Sequence, residues 1–264
     1  MRPNRLRSSI AAGRPVIGPI LQEIPDSPDL VEFFGAAGFD FVVIDAEHGG
    51  VDIGTARDLA RAAEAAGMTP LARVPSVDDG QILALLDSGI QGIVLAHCNT
   101  VEDAEALVRA TKYPPRGVRG AATGSRAALY GYGPTAREKL EIADEATMCI
   151  GLIEESRAID AVGGMLAVEG FDGCFLGSGD MSLSMGREFY GGAQTHPDVA
   201  AAMDGVRRET LAAGKLVMEP AGSGAAARSL IDQGVQIVVL QFGQFFRAAL
   251  DAYLGAANGD APPR

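Results

Sequence analysis

Cysteine, histidine and lysine each occur only three times in 264 residues. Cys98, Cys149 and Cys174 fall inside apolar strand-like runs and lack CxxC spacing, which excludes a disulfide framework and marks them as buried thiols of a reducing compartment. Long hydrophobic runs are missing too. Nothing approaches the roughly 18 apolar residues of a membrane span, and the basic start MRPNRLRSSIAAGRP has no apolar core of a signal peptide. The expectation is a cytoplasmic protein with no membrane partner. Positive charge is outnumbered, 22 Lys and Arg against 34 Asp and Glu for a net charge of −12, which argues against a phosphate-backbone partner and so against nucleic acid. Neither GxGxxG nor GxxxxGK[ST] follows the first strand-like run, so no dinucleotide or P-loop signature is present.

Apolar content is high, at 47%, enough for one large domain with a real core. Eight apolar runs recur: VIGPIL (16–21), FVVID (41–45), PLARV (70–74), GIVLA (92–96), MCIGLI (148–153), GCFLG (173–177), KLVME (215–219) and IVVLQF (237–242). Their continuity, rather than alternation, fits strands covered on both faces. Segments such as ARDLARAAEAAG and GQILALLDSG between them show i, i+3, i+4 apolar spacing, and several stop at Gly38, Gly67, Gly89 and Gly234, as helix C-caps do. Eight β-α repeats predict a (β/α)8 TIM barrel over 1–264, because closure removes the two edges an open sheet would expose; a doubly wound open sheet is the alternative. No linker divides the chain. One segment, 112–146, breaks the rhythm with a Pro-, Gly- and Arg-rich loop and then an extra helix with Pro134 near its start. Arg116, Arg119 and Arg126 in that loop are suited to anion recognition or to a subunit interface. A last helix is expected at about 244–257, and GAANGDAPPR has the composition of a frayed tail.

In a parallel barrel the C-terminal strand ends form one face, where chemistry collects. That face gathers Asp45, Glu47 and His48 after the second strand, Arg73 after the third, and His97 and Asn99 after the fourth. Glu154 and Glu155 follow the fifth, Gly177, Gly179 and Asp180 the sixth, Glu219 the seventh, and Gln241 and Gln244 the eighth. RAIDAVGGMLAV, between the fifth and sixth, has the length of one crossover helix, so Glu154 and Asp180 point to the same end. Such acids either mark solvated strand ends or hold a hard divalent cation. With Arg73 and a histidine beside them, the set suits an enolate: oxygen ligands for a metal that chelates a 2-oxo acid, a cation for the growing negative charge, and a proton carrier. A Schiff-base route would need a barrel lysine, and Lys112, Lys139 and Lys215 lie away from that face.

The motifs VVIDAEHG (42–49), LARVP (71–75), LLDSGIQGIVLAH (85–97), KYPPRGVRG (112–120), GLIEES (151–156) and AVEGFDGCFLGSGDMSLSMG (167–186), in that order, resemble the HpcH/HpaI aldolase family. These are metal-dependent pyruvate aldolases such as 4-hydroxy-2-oxoheptanedioate and 2-dehydro-3-deoxyglucarate aldolase. The resemblance implies a barrel of the phosphoenolpyruvate/pyruvate-domain type. The activity it implies is a lyase cleaving a 4-hydroxy-2-oxo acid to pyruvate, or a related 2-oxo acid, and an aldehyde in aromatic or sugar-acid catabolism. Residue by residue it implies His48 as acid/base, Asp87 as the carboxylate raising its basicity, and Arg73 as transition-state stabiliser. Glu154 and Asp180 become ligands of a divalent ion (Mg, Mn or Co), and the backbone at Gly177, Ser178, Gly179 and Asp180 holds the pyruvate carboxylate. The family's hexamers, trimers of dimers, imply a homo-oligomer. Two positions depart from the pattern: Leu152 stands where the family usually has Gln, and GSGD at 177–180 replaces GPAD. The substrate is therefore open, with 2-oxo acid decarboxylation and carbon–carbon bond formation as an alternative on the same site, and a non-catalytic oxo-acid-binding barrel as another.

Overall fold

The computed structural model describes residues 3–22, 27–188 and 195–258. All eight apolar runs are strands, every pairing is parallel, and they close in sequence order into a barrel. The elements in order are α1 (Arg5–Ala11), β1 (Val16–Leu21), α2 (Pro28–Ala36), β2 (Phe41–Asp45), α3 (Ile53–Ala65), β3 (Thr69–Val74), α4 (Asp79–Ser88), β4 (Gly92–Leu95) and α5 (Val101–Thr111). The second half runs α6 (Ala136–Ala146), β5 (Met148–Ile153), α7 (Val162–Ala167), β6 (Gly173–Leu176), α8 (Ser178–Ser184), α9 (Pro197–Ala212), β7 (Leu216–Ala221), α10 (Gly224–Asp232), β8 (Ile237–Gln241) and α11 (Phe242–Asn258). Gly38, Gly67, Gly89 and Gly234 all take positive φ where helices end, as the sequence predicts.

Alternation along the strands decides what reaches the barrel axis. In β2, Phe41 and Val43 pack inside the barrel while Val42 and Ile44 face the helices, so Asp45 follows inward. In β5, Met148, Ile150 and Leu152 point inside, which carries Glu154 to the same side. Leu71 sets the inward face of β3 and hence Arg73; Phe175 sets that of β6 and hence Gly177. Register then aligns neighbours, Asp45 beside Arg73 and Leu152 beside Phe175.

The structure differs from the sequence reading in four places. The N-terminal stretch is helical: Asn4 caps α1 and donates from Nδ2 to the carbonyls of Gln91 and Ala146, while buried Leu6 joins the inner barrel core. This helix closes the N-terminal end. The β5–β6 crossover is a 3₁₀ turn, Ser156–Ala161, followed by the short α7, because the Gly163-Gly164 pair and tight packing leave little room for a long helix. Cys98 lies beyond the end of β4 yet is buried like Cys149 and Cys174. Burial pushes all three thiols up, Cys174 to about 11, as expected of inert core thiols. Finally, α11 runs through Asn258, so the start of the supposed tail is helical and the rest lies outside the described residues.

The loop after α5 folds back onto the N-terminal end. Lys112 is buried with Nζ donating to the carbonyls of Asp144 and Thr147, and Arg126 pairs with Glu64 at 2.5 Å and donates to Ser88 O at 3.0 Å. Arg119 is buried, stacked 4.6 Å over the Tyr113 ring and paired with Asp87 at 3.1 Å. Arg116 lies 4.0 Å from Glu169. Arg119 and Arg126 thus hold helices of their own chain together, whereas Arg116 makes only that long approach to an exposed acid.

Candidate active site and metal centre

A cavity of about 640 Å³ opens at the C-terminal strand ends. His48, Arg73, Leu152, Glu154, Gly177, Ser178, Gly179 and Asp180 all line it, with one wall supplied by Gln244, Phe245, Arg247 and Asp251 of α11. No lysine lines it. Of the residues to which the family resemblance gives a role, Asp87 alone is elsewhere. Helices run against the strands, so the C-terminal end of α4 lies at the opposite end of the barrel, where Asp87 meets Arg119. Within one chain His48 and Asp87 are not brought together. Glu219 also turns away, accepting from Arg207 of α9 at 2.7 and 2.8 Å.

Arg73 is fixed before any ligand arrives. Its Nε and Nη2 donate to the two oxygens of fully buried Asp45 at 2.9 and 2.5 Å, and Nε lies 3.2 Å from Glu47 Oε2. Burial alone would lower the guanidinium pKa; the Asp45 hydrogen bond and charge, then Glu47 and Glu154, outweigh it and raise the value. Asp45 also accepts the Glu47 N–H at 3.0 Å, so it orients both neighbours. Removing one partner of a buried pair like this costs roughly 3–5 kcal/mol.

Glu154 is 3% exposed and accepts the backbone N–H of His97 at 2.9 Å. Burial pushes its carboxyl up to about 7; the His97 hydrogen bond and ring pull it down, and the charges of Glu47 and Asp180 push it further up. His97 itself takes a left-handed backbone, φ 50. Its Nδ1 is 3.3 Å from Glu154 and 3.1 Å from Glu155, and its Nε2 is 3.3 Å from Glu47. One ligand atom each from Glu47, His97 and Glu154 lie within 4.8 Å of one another. The fit to a divalent cation can be tested on this geometry. Glu47 Oε2 is buried and makes no hydrogen bond even with Arg73 Nε 3.2 Å away, so it has a lone pair left for an ion, and the oxygen-rich set suits a hard or borderline ion. Asp180 lies in the exposed first turn of α8 on the same cavity. The first intrahelical bond of α8 is Met181 N–H to Gly177 O, so the amides of Ser178, Gly179 and Asp180 carry no intrahelical acceptor. Gly177 cannot carry a side chain here: a Cβ would sit 2.8 Å from Glu154 Cβ and 3.0 Å from Leu152 Cδ1.

Sequence reasoning put Glu47 and His97 on the rim without a role, and missed that Asp45 anchors Arg73. The alternation in VIDAE was the available signal for Asp45. Nothing in the sequence marks the left-handed turn at His97.

A model of the HpcH/HpaI aldolase/citrate lyase family matches residues 24–240. The chain belongs to this family. It is 33% identical to the hydroxypyruvate/pyruvate aldolase of Agrobacterium fabrum over 98% of this chain and 96% of that protein. It is 31% identical to the 5-keto-4-deoxy-D-glucarate aldolase of Escherichia coli over 90% of each. Among solved structures, that of citrate synthase SbnG superposes with a TM-score of 0.83 at 30% identity, covering 96% of this chain and 97% of that one. The HpcH/HpaI membership makes the chain an aldolase-type carbon–carbon lyase, and the barrel described above is the family's fold.

Proposed function

We propose that the protein is a divalent-metal-dependent aldolase that cleaves a 4-hydroxy-2-oxo acid to pyruvate, or a close 2-oxo acid, and an aldehyde. The observation that carries this reading is one cavity holding a buried carboxylate cluster around Glu154, a fixed guanidinium at Arg73 and an open imidazole at His48. Glu154 and Asp180, with Glu47 beside them, would hold the metal, which is Mg, Mn or Co. When bound, it would act as a Lewis acid on the C2 oxygen of the oxo acid. Arg73 adds fixed positive charge where negative charge grows, already desolvated and oriented by Asp45. The amides from Ser178 to Asp180 receive the substrate carboxylate. His48, whose side chain is 54% exposed, reaches the outer part of the cavity and takes the proton from the C4 hydroxyl as the C3–C4 bond breaks. The aldehyde leaves, and C3 of the enolate regains a proton to give the 2-oxo acid.

Asp87 keeps the role the resemblance gives it only if a second copy delivers it to His48. The outward face of α11, with Phe245, Phe246, Leu250, Tyr253 and Leu254 exposed, gives such a copy an apolar surface to bury. The assembly proposed is a hexamer and the compartment proposed is the cytoplasm. No helix among the described residues is long and apolar enough to cross a membrane. Leu152 favours keeping a second reaction in view, carbon–carbon bond formation after oxo-acid decarboxylation, because the site lacks an amide donor at that point. The test is a retro-aldol screen of 4-hydroxy-2-oxo acids with coupled pyruvate detection, with and without EDTA, and product analysis with oxaloacetate. Turnover insensitive to chelation would overturn the metal, and condensation products without cleavage would favour the second reaction.

A further inference from the structure

We infer that His97 is a direct nitrogen ligand of the divalent cation, and that this donor tilts the site away from magnesium and toward manganese and cobalt. The inference rests on the metal-dependent reading above and adds a ligand to it. The ring is wedged among three carboxylates from two strands: Nε2 3.3 Å from Glu47 Oε1 on one side, Nδ1 3.3 Å from Glu154 Oε1 and 3.1 Å from Glu155 Oε1 on the other. Glu155 is already held by Asn99 Nδ2 at 3.0 Å and Arg157 Nε at 2.8 Å, so it is a fixed acceptor. In the tautomer protonated at Nδ1, that N–H donates to Glu155 and the lone pair of Nε2 turns toward Glu47. A carboxylate holding one ring nitrogen while the other faces an ion is how metal-binding imidazoles are oriented.

Two further observations point to an ion and not merely to a histidine among acids. Glu47 Oε2 is buried and makes no hydrogen bond, although Arg73 Nε lies 3.2 Å and His48 Nε2 3.9 Å away, so it keeps lone-pair capacity beside the ring. And the backbone at His97 is held in the left-handed region, which brings its own N–H onto Glu154 Oε1, so one residue aims both the ring and the neighbouring carboxylate. An oxygen-only site suits magnesium, whereas an imidazole raises relative affinity for first-row transition metals.

The test uses the full-length protein and Mn(II) as the probe. His97→Asn is the variant of choice because asparagine tolerates positive φ while removing the imidazole; circular dichroism checks that it folds. Pulsed electron paramagnetic resonance of bound Mn(II) is expected to show directly coordinated nitrogen in wild type and in His48→Asn, and none in His97→Asn. Calorimetry is expected to show Mn(II) and Co(II) affinity falling about tenfold or more in His97→Asn, with Mg(II) falling less. Mn(II) bound without nitrogen coupling in wild type, or bound as tightly or more tightly by His97→Asn, would overturn the inference and leave His97 a counter-charge to the acids. Failure of wild type to bind Mn(II) at all would instead overturn the metal-dependent reading, and His97 with it.

Discussion

In the proposed metal site Glu154 would tie metal binding to pH, with a sign that follows from its surroundings. An ordinary glutamate titrates at 4.5; burial and the neighbouring acids hold this one at about 7. Between those values the folded protein keeps a proton that the unfolded chain has lost, so without metal the contribution of Glu154 to stability is full below about 4.5 and is lost as pH rises through 7. The whole effect is roughly 3 kcal/mol. A divalent cation reverses the balance, because it needs the carboxylate. Mn(II) at about 100 times its Kd stabilises by about 2.7 kcal/mol where Glu154 is ionised, and below pH 7 its apparent affinity drops about tenfold per pH unit. The assay is thermal unfolding from about pH 5.5 to about pH 8.5, with and without Mn(II), in wild type and Glu154→Gln. Glutamine keeps an oxygen for the His97 N–H but cannot ionise. The expected result is a Mn(II)-induced rise in Tm that is large at the alkaline end and falls to about a third of that at the acid end in wild type, and is small throughout in the variant. A rise of equal size at both ends, or one that survives in Glu154→Gln, would refute the reasoning.

Asp180→Ala is expected to leave stability within about 0.5 kcal/mol, since the residue is exposed, while removing metal-dependent pyruvate release; chemical denaturation and the coupled assay check the two halves. His48→Ala should lower kcat about 10²- to 10⁴-fold with little change in Mn(II) or pyruvate binding, and an unchanged kcat removes His48 from the mechanism. Co-expressing His48→Ala with Asp87→Asn should restore activity that neither variant has alone, because mixed assemblies regain sites with both native groups; no recovery would place Asp87 outside the site. Truncation after Gln244 should cost both assembly and activity, and light scattering of the intact protein at the 27.3 kDa monomer mass with full activity would refute the role given to α11.

The barrel was legible because its signals are local. Continuous apolar runs such as FVVID and MCIGLI can be strands buried on both faces and little else, and their spacing with periodic helices leaves few topologies. The shared cavity followed, since whatever comes after a parallel strand must lie at its C-terminal end, which is why His48, Arg73, Glu154 and Asp180 line it together. What escaped depends on angles and register. Glu47 and His97 were visible as rim residues, but their meeting needs the left-handed turn at His97, a backbone state that no neighbouring glycine or proline announces. The Asp45–Arg73 pair needs the register of β2 on β3. The arginines of the long loop looked free because their partners, Glu64 and Asp87, lie 62 and 32 positions away along the chain.

The closure of the barrel by α1 has a kinetic consequence. Leu6 below, then the stacked inner side chains up to Leu152 and Phe175, fill the barrel axis among the described residues, so the cavity lies toward the C-terminal strand ends. In the proposed mechanism the 2-oxo acid is seated against Glu154, which is 3% exposed, and the aldehyde half lies beside the exposed His48. The release order expected from that pose is sequential: aldehyde first, 2-oxo acid last. In the cleavage direction the 2-oxo acid, as last product, should compete directly with substrate for the empty enzyme, whereas the aldehyde should give noncompetitive inhibition.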